Sequence, residues 1–101
     1  MAQFDVYKNP NEKTQKQFPY LLDVQNDLHS RMQSRLIVPL AIGVPPIKYL
    51  TPQIRIEAQE VVMSTMDMTS VIADSMGDFV VNVKEYRVEI EDALDFLVNG
   101  F

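Results

Sequence analysis

The spacing of the apolar residues changes once along the chain, at Lys84, and that change restricts the fold more than any other feature. Before it, apolar residues come in short runs that alternate with polar ones, the two-residue period of a half-buried strand. After it, Tyr86, Ile90, Ala93, Leu94 and Leu97 fall at i, i+4, i+7, i+8 and i+11. That is one stripe of an α-helix, with Glu85, Glu89, Glu91, Asp92 and Asp95 elsewhere on its surface. A helix is predicted over about 84–98. Gly100 is its natural stop, because glycine enters the left-handed conformation that ends helices at little cost. Residues 99–101 form a short tail.

In the first part of the chain, Phe4 and Val6 alternate with Gln3, Asp5 and Tyr7 and read as a first strand with one buried face. A second runs from Phe18 to Val24, with Phe18, Tyr20, Leu22 and Val24 on one face, and pairs with the first as a hairpin. Between them, Lys8 to Gln17 carries Asn9, Pro10 and Asn11 and no other apolar residue, which predicts an exposed, mobile loop. Arg35 to Leu40 is a third strand, apolar enough for burial on both faces. Pro39 lacks an N–H for the ladder and is expected at its end or at a bulge. Ala41 to Pro52 holds Gly43 and three prolines and reads as a second long loop. Gln53–Ile56, Glu60–Ser64, Ser70–Ala73 and Phe79–Val83 are further short strands. Strands so closely spaced favour a small antiparallel barrel or sandwich over a parallel βαβ sheet. The 101 residues make one domain, 1–101, with no repeat or internal boundary. At that size much surface stays exposed after folding, so dimerisation would help.

Several chemistries are excluded by residue type. Cysteine is absent, which removes disulfides, thiolate metal sites and a cysteine nucleophile. The one histidine, His29, lies in a polar connecting stretch, reads as a solvated loop residue and has no second ligand beside it, so neither zinc nor any other metal or cofactor is expected. Ser64, Thr65, Thr69 and Ser70 lack a base to activate them. The helix carboxylates read as a solvated face, and Met63, Met66 and Met68 as core filling. Three scattered glycines cannot form a phosphate-binding loop. A net charge of −5 opposes direct binding to a nucleic-acid backbone. No stretch has the length of a membrane span, and no basic, apolar leader follows Met1, so a cytoplasmic protein is expected. What remains is a protein that works by contact, through its two loops and its apolar tail ending in Phe101. Read alone, that tail is either a plug on its own core or a surface offered to a partner.

The ordered segments resemble the CcdB family, toxins of a plasmid and chromosomal toxin–antitoxin system that poison DNA gyrase. The resemblance rests on Gln3-Phe4-Asp5-Val6-Tyr7, Asp23-Val24-Gln25-Asn26-Asp27-Leu28, Arg35-Leu36-Ile37-Val38-Pro39-Leu40-Ala41, Met63 with Asp67-Met68-Thr69-Ser70-Val71, and the closing helix of Ile90, Ala93 and Leu94 with Gly100 at its end. It implies a mainly β protein with one C-terminal α-helix, an SH3-like antiparallel barrel of the CcdB/MazF type, acting as a homodimer. It implies no catalysis: the two tails wedge into the A subunit of gyrase and trap it on cleaved DNA, so that DNA is met only through gyrase. Carried over by position, the gyrase contacts are Asn26, Leu28 and His29, then Asp95, Val98, Asn99, Gly100 and Phe101. Better-known members end in phenylalanine, tryptophan, glycine and isoleucine, where this chain has Val98, Asn99, Gly100 and Phe101. Phe101 is expected to supply the aromatic anchor that tryptophan gives elsewhere.

The resemblance also implies a CcdA antitoxin, whose disordered segment folds over the loop from Tyr7 to Gln17 and the loop from Ile42 to Leu50. Tyr7, Lys8, Asn9, Ile42, Val44 and Ile47 are its expected contacts. Two other functions share the fold. One is an endoribonuclease similar to MazF and Kid, which would need a basic groove, for example around Arg31, Arg35 and Arg55, together with an acid–base pair. The other is a CcdB homologue that has lost gyrase poisoning, which the missing tryptophan would fit.

Overall fold

In the computed structural model, residues 1–29 and 33–100 are described, His29 by its backbone alone. Seven strands follow one another: β1 (Asp5–Lys8), β2 (Tyr20–Asp23), β3 (Ser34–Ala41), β4 (Gln53–Ile56), β5 (Gln59–Met63), β6 (Thr69–Ile72) and β7 (Phe79–Asn82). Among the described residues a single α-helix, α1 (Arg87–Asn99), follows the strands. The strands form one antiparallel sheet in the order β4-β5-β3-β2-β1-β7, with β6 also paired to β3. This is a mostly β half-barrel with one C-terminal helix, as the change of period predicts. No helix among the described residues is long and apolar enough to cross a membrane.

The eight residues of β3 organise the sheet. One edge pairs with β2 (Ile37 with Asp23, Leu40 with Tyr20), while the other takes β6 along Ser34–Ile37 and then β5 at Leu40 and Ala41. Pro39 lies inside this strand, opposite Leu21, and not at its end as expected. Its carbonyl accepts the Ser64 N–H at 2.9 Å on the edge where β6 gives way to β5. In an antiparallel strand a residue's N–H and C=O share a direction, so the donor that proline lacks faces Ser64, whose own carbonyl already accepts the Asp67 N–H at 3.0 Å.

Alternation along the strands separates two faces. Val6, Leu22, Val38, Leu40, Ile54, Ile56, Val61 and Met63 form the core with Phe4, Val24 and Val83, and Ile90 and Ala93 of α1 lie against them. Tyr86 and Leu94 pack half-buried beside that cluster, whereas Leu97, predicted on the same stripe, remains 36% exposed because the helix runs past the edge of the core. The opposite face is buried as well at Tyr7, Asp23, Arg35, Ile37 and Ala41, which gives β3 the two-sided burial its composition predicts. β1 also buries successive residues, Val6 and Tyr7, one on each face, where the alternation predicts a single buried face.

The ends of α1 explain its boundaries. Residues 84–86 form a 3₁₀ turn, shorter in radius than the predicted helix start, since Asn82 Oδ1 takes the Lys84 N–H at 3.0 Å and Tyr86 N bonds Val83 O at 2.9 Å. Gly100 stops the helix at φ +63°, and its N–H bonds Phe96 O at 2.9 Å. Further 3₁₀ turns at 27–29, 65–67 and 73–75 were not legible as periodic segments. The loop after β1 is exposed over 10–17, as its polarity predicts, but it is internally bonded around Asn9. The Asn9 amide donates to Thr14 Oγ1 and Phe18 O, both at 2.9 Å, and its oxygen accepts Asn11 N at 3.0 Å.

Candidate functional site

The segment after β2 is where the chain leaves the sheet with Asp23 and reaches the 3₁₀ turn at 27–29. Leu28 is 88% exposed there, the most solvent-exposed large apolar side chain described. Asn26 shapes the turn, its Oδ1 accepting Leu28 N at 2.8 Å, and Asp27 Oδ1 accepts Gln3 N at 2.9 Å. Burying a side chain of this size would gain about 2–3 kcal/mol over leaving it in water. The side chain of His29, together with Arg31, lies outside the described residues.

The end of α1 offers a second surface. Val98 is 72% exposed, and Asp95 and Asn99 border a cleft of about 470 Å³ with Tyr49, Asp92 and Phe96. The Tyr49 and Phe96 rings meet at 6.1 Å, which ties the loop before β4 to the last turns of the helix. The guanidinium of Arg87, at the other end of α1, lies 5.9 Å from the Phe4 ring. Twelve residues of helical rise carry Asn99 about 18 Å from that end. The loop and the tail therefore rest on different supports, one on the sheet through Asp23 and Gln3, the other on α1 and Tyr49. Gly100 is placed by its left-handed cap; Phe101 lies outside the described residues.

Two further clefts lie on the sheet face opposite the core. One, of about 420 Å³, has an apolar floor of Leu21, Ile37, Pro39 and Val71 and is walled by Asn9, Phe18 and Met76. The next, of about 280 Å³, lies at Ala41, Val44, Ile47, Val62 and Met66. Ile37, Pro39 and Ala41 are alternate residues of β3, so the two clefts follow each other along one strand. The two loops abut, with Ile42 N donating to Gln17 O at 3.1 Å. Val44 and Ile47 are 42% and 52% exposed, and Lys8 is exposed. Tyr7 and Asn9 are built into the fold: the Tyr7 hydroxyl donates to Asp5 Oδ2 at 3.1 Å and its ring stands edge-on to Phe79. Ile42 is half-buried beside the core.

The sequence reading missed the polar layer under the first of these surfaces. Asp23 and Arg35 form a bidentate ion pair, Nε to Oδ2 at 2.8 Å and Nη2 to Oδ1 at 3.0 Å, with side chains 0% and 1% exposed. Burial pushes the Asp23 carboxyl above its ordinary value, against the bonds from Arg35 and the Gln25 N–H. The Tyr7 hydroxyl is raised to about 12, first by burial and then by its bond to Asp5. Strand alternation was the available signal, since Asp23 and Arg35 share the face of Leu21 and Ile37. Both perturbed groups are committed to bonds inside the fold. No three His, Cys, Asp or Glu side chains are grouped to hold a metal among the described residues.

A family profile described as CcdB protein matches residues 3–100. No curated protein matches the chain. The matched span takes in every strand, the helix and its glycine stop, and the chain belongs to the CcdB family.

Proposed function

We propose that this protein is the toxin of a toxin–antitoxin pair and acts by binding the A subunit of DNA gyrase, trapping the enzyme on cleaved DNA in the cytoplasm. The family match over residues 3–100 carries the reading. The surfaces support it: Leu28 and Val98, at two of the positions carried over from the family, are the two most exposed large apolar side chains described. The active form is a homodimer, because two equivalent tails suit a two-fold symmetric target. Action is by contact, with binding energy and no bond chemistry.

Binding of the purified protein to a gyrase A fragment containing its dimerisation region tests this directly. Leu28→Ala and Val98→Ala should each weaken binding about tenfold or more at unchanged fold, in line with about 1.5–3 kcal/mol per buried apolar anchor. Phe101→Ala should do the same, and unchanged affinity there would remove its assigned role as anchor. A wild-type protein that fails to bind the fragment would favour a homologue without gyrase poisoning. Cleavage of messenger RNA without gyrase would overturn the reading in favour of an endoribonuclease.

The paired clefts under the two loops are assigned to the CcdA antitoxin, through Asn9 in the wall of one and Val44 and Ile47 in the other, with Tyr7, Lys8 and Ile42 as further contacts on the same loops. One extended segment could cross from one cleft to the next, because the loops abut and the clefts follow one strand. A net charge of −5 favours a partner segment with basic and apolar side chains.

A further inference from the structure

The stretch from Val24 to Asn26 has no regular structure, yet both polar groups of the Gln25 peptide unit are held from below. Asp23 Oδ1 accepts the Gln25 N–H at 2.8 Å, and Arg35 Nη2 donates to Gln25 O at 3.4 Å. The Gln25 side chain completes the clamp, its Oε1 accepting Leu36 N at 3.2 Å. Val24 N donates to Leu36 O at 3.0 Å and holds the start of the stretch; beyond it, the ties from Gln3 N to Asp27 Oδ1 and from Leu28 N to Asn26 Oδ1 are exposed. Between Val24 and the turn, the path of the chain toward Asn26 and Leu28 is therefore set by the buried pair together with the Gln25 side chain.

That pair is a poor device for stability. Both charges have been taken out of water, and Arg35 Nη1 is buried with no hydrogen-bond partner among the described residues. Burial outweighs the opposing charge at Asp23, whose carboxyl is pushed up despite the fork beside it. Apolar replacements of buried ion pairs often leave stability unchanged or raise it. Something other than stability has to account for the arrangement.

We infer that Asp23 and Arg35 are positioning residues for partner binding: they hold the 24–28 segment in the one path that presents Asn26 and Leu28. This rests on the reading of that segment as a gyrase contact. A loop fixed before binding does not have to be ordered during it, and the gain appears as affinity. Asp23 and Arg35 touch no partner themselves, since both are fully covered.

The test is the double variant Asp23→Leu/Arg35→Met in the full-length protein. It should melt no lower than wild type, exchange the amide protons of Gln25 to Leu28 at least about tenfold faster, and bind the gyrase A fragment at least about tenfold more weakly. Amides of β1 and β7 should exchange as before. Wild-type affinity together with wild-type exchange at Gln25 to Leu28 would overturn the inference, and so would a variant that loses melting temperature and binding in parallel. If the double variant does not fold, Arg35→Lys decides: it keeps a cation beside Asp23 but cannot fork to both Asp23 and Gln25. Unchanged exchange at Gln25 in that variant would overturn the inference. If wild-type protein does not bind the fragment, the gyrase reading fails by itself, while the exchange measurement still decides whether the pair holds the segment.

Discussion

Gly77→Ala tests the packing where the end of β1 meets the turn before β7. Gly77 N donates to Lys8 O at 3.1 Å, and Lys8 N donates to Asp78 O at 2.8 Å, so two backbone strands clasp each other there. A Cβ on Gly77 would come within 3.0 Å of the Lys8 carbonyl oxygen, with the Lys8 carbonyl carbon at 3.1 Å and its Cβ at 3.2 Å. The obstacle is backbone, which cannot swing aside as a flexible side chain could. Relieving the overlap costs about 1–3 kcal/mol. Losing the Gly77–Lys8 bond costs about 1 kcal/mol more. Alanine recovers about 0.4–1 kcal/mol by restricting the unfolded chain, which leaves a net loss of about 2 kcal/mol. Urea unfolding with linear extrapolation measures it. Gly43→Ala is the control, because a Cβ there meets nothing within 4 Å and the cost comes only from φ +75°. That should be about 1 kcal/mol, with no change in the Lys8 amide. A loss under about 0.5 kcal/mol in Gly77→Ala, or an unchanged exchange rate for the Lys8 N–H, would refute the packing argument.

Three other outcomes are expected. Ile90→Ala, which removes a side chain at 0% exposure where α1 meets the sheet, should cost about 2–5 kcal/mol, while Leu97→Ala at 36% exposure costs less than about 1, both by denaturant unfolding. The β4–β5 hairpin turns on Glu57 and Ala58 at φ +49° and +67°, a conformation suited to Asn-Gly, so Glu57→Asn/Ala58→Gly should raise the unfolding free energy by about 1–2 kcal/mol. Because the Tyr7 hydroxyl is raised from 10.0 to about 12, the unfolded chain ionises first as pH rises and the folded state loses stability across that interval. The loss should reach about 2 kcal/mol by pH 12, read as falling urea midpoints, and Tyr7→Phe should remove that part of the slope.

How much of the site could be read beforehand differs residue by residue. Leu28 and Val98 were legible only through the family resemblance, as positions carried over from it, and both lie exposed. Strand alternation placed Asp23 on the face of Leu21, but a lone acidic residue beside Leu22 and Val24 reads as the solvated half of an alternating strand and not as a buried group. Only the arrival of Arg35 from twelve residues away makes its burial possible. Asn9 is similar: it reads as turn chemistry, but its amide turned inward becomes the hub of the loop. The abutment of the two loops, through Ile42 and Gln17, depends on β2 and β3 pairing in one particular register.

Local patterning was sufficient to determine the strand runs, the change to a helix after Lys84, the glycine stop and the segments that mark the family, since period, turn chemistry and φ preferences act within a few residues. The tertiary structure alone decided that Pro39 sits inside β3, at the junction of two partner strands. It also decided that Asp23 meets Arg35 beneath the Leu28 loop, and that Gly77 must lack a side chain. Each of these depends on groups distant in sequence being brought within contact range, and no local preference specifies which groups those will be.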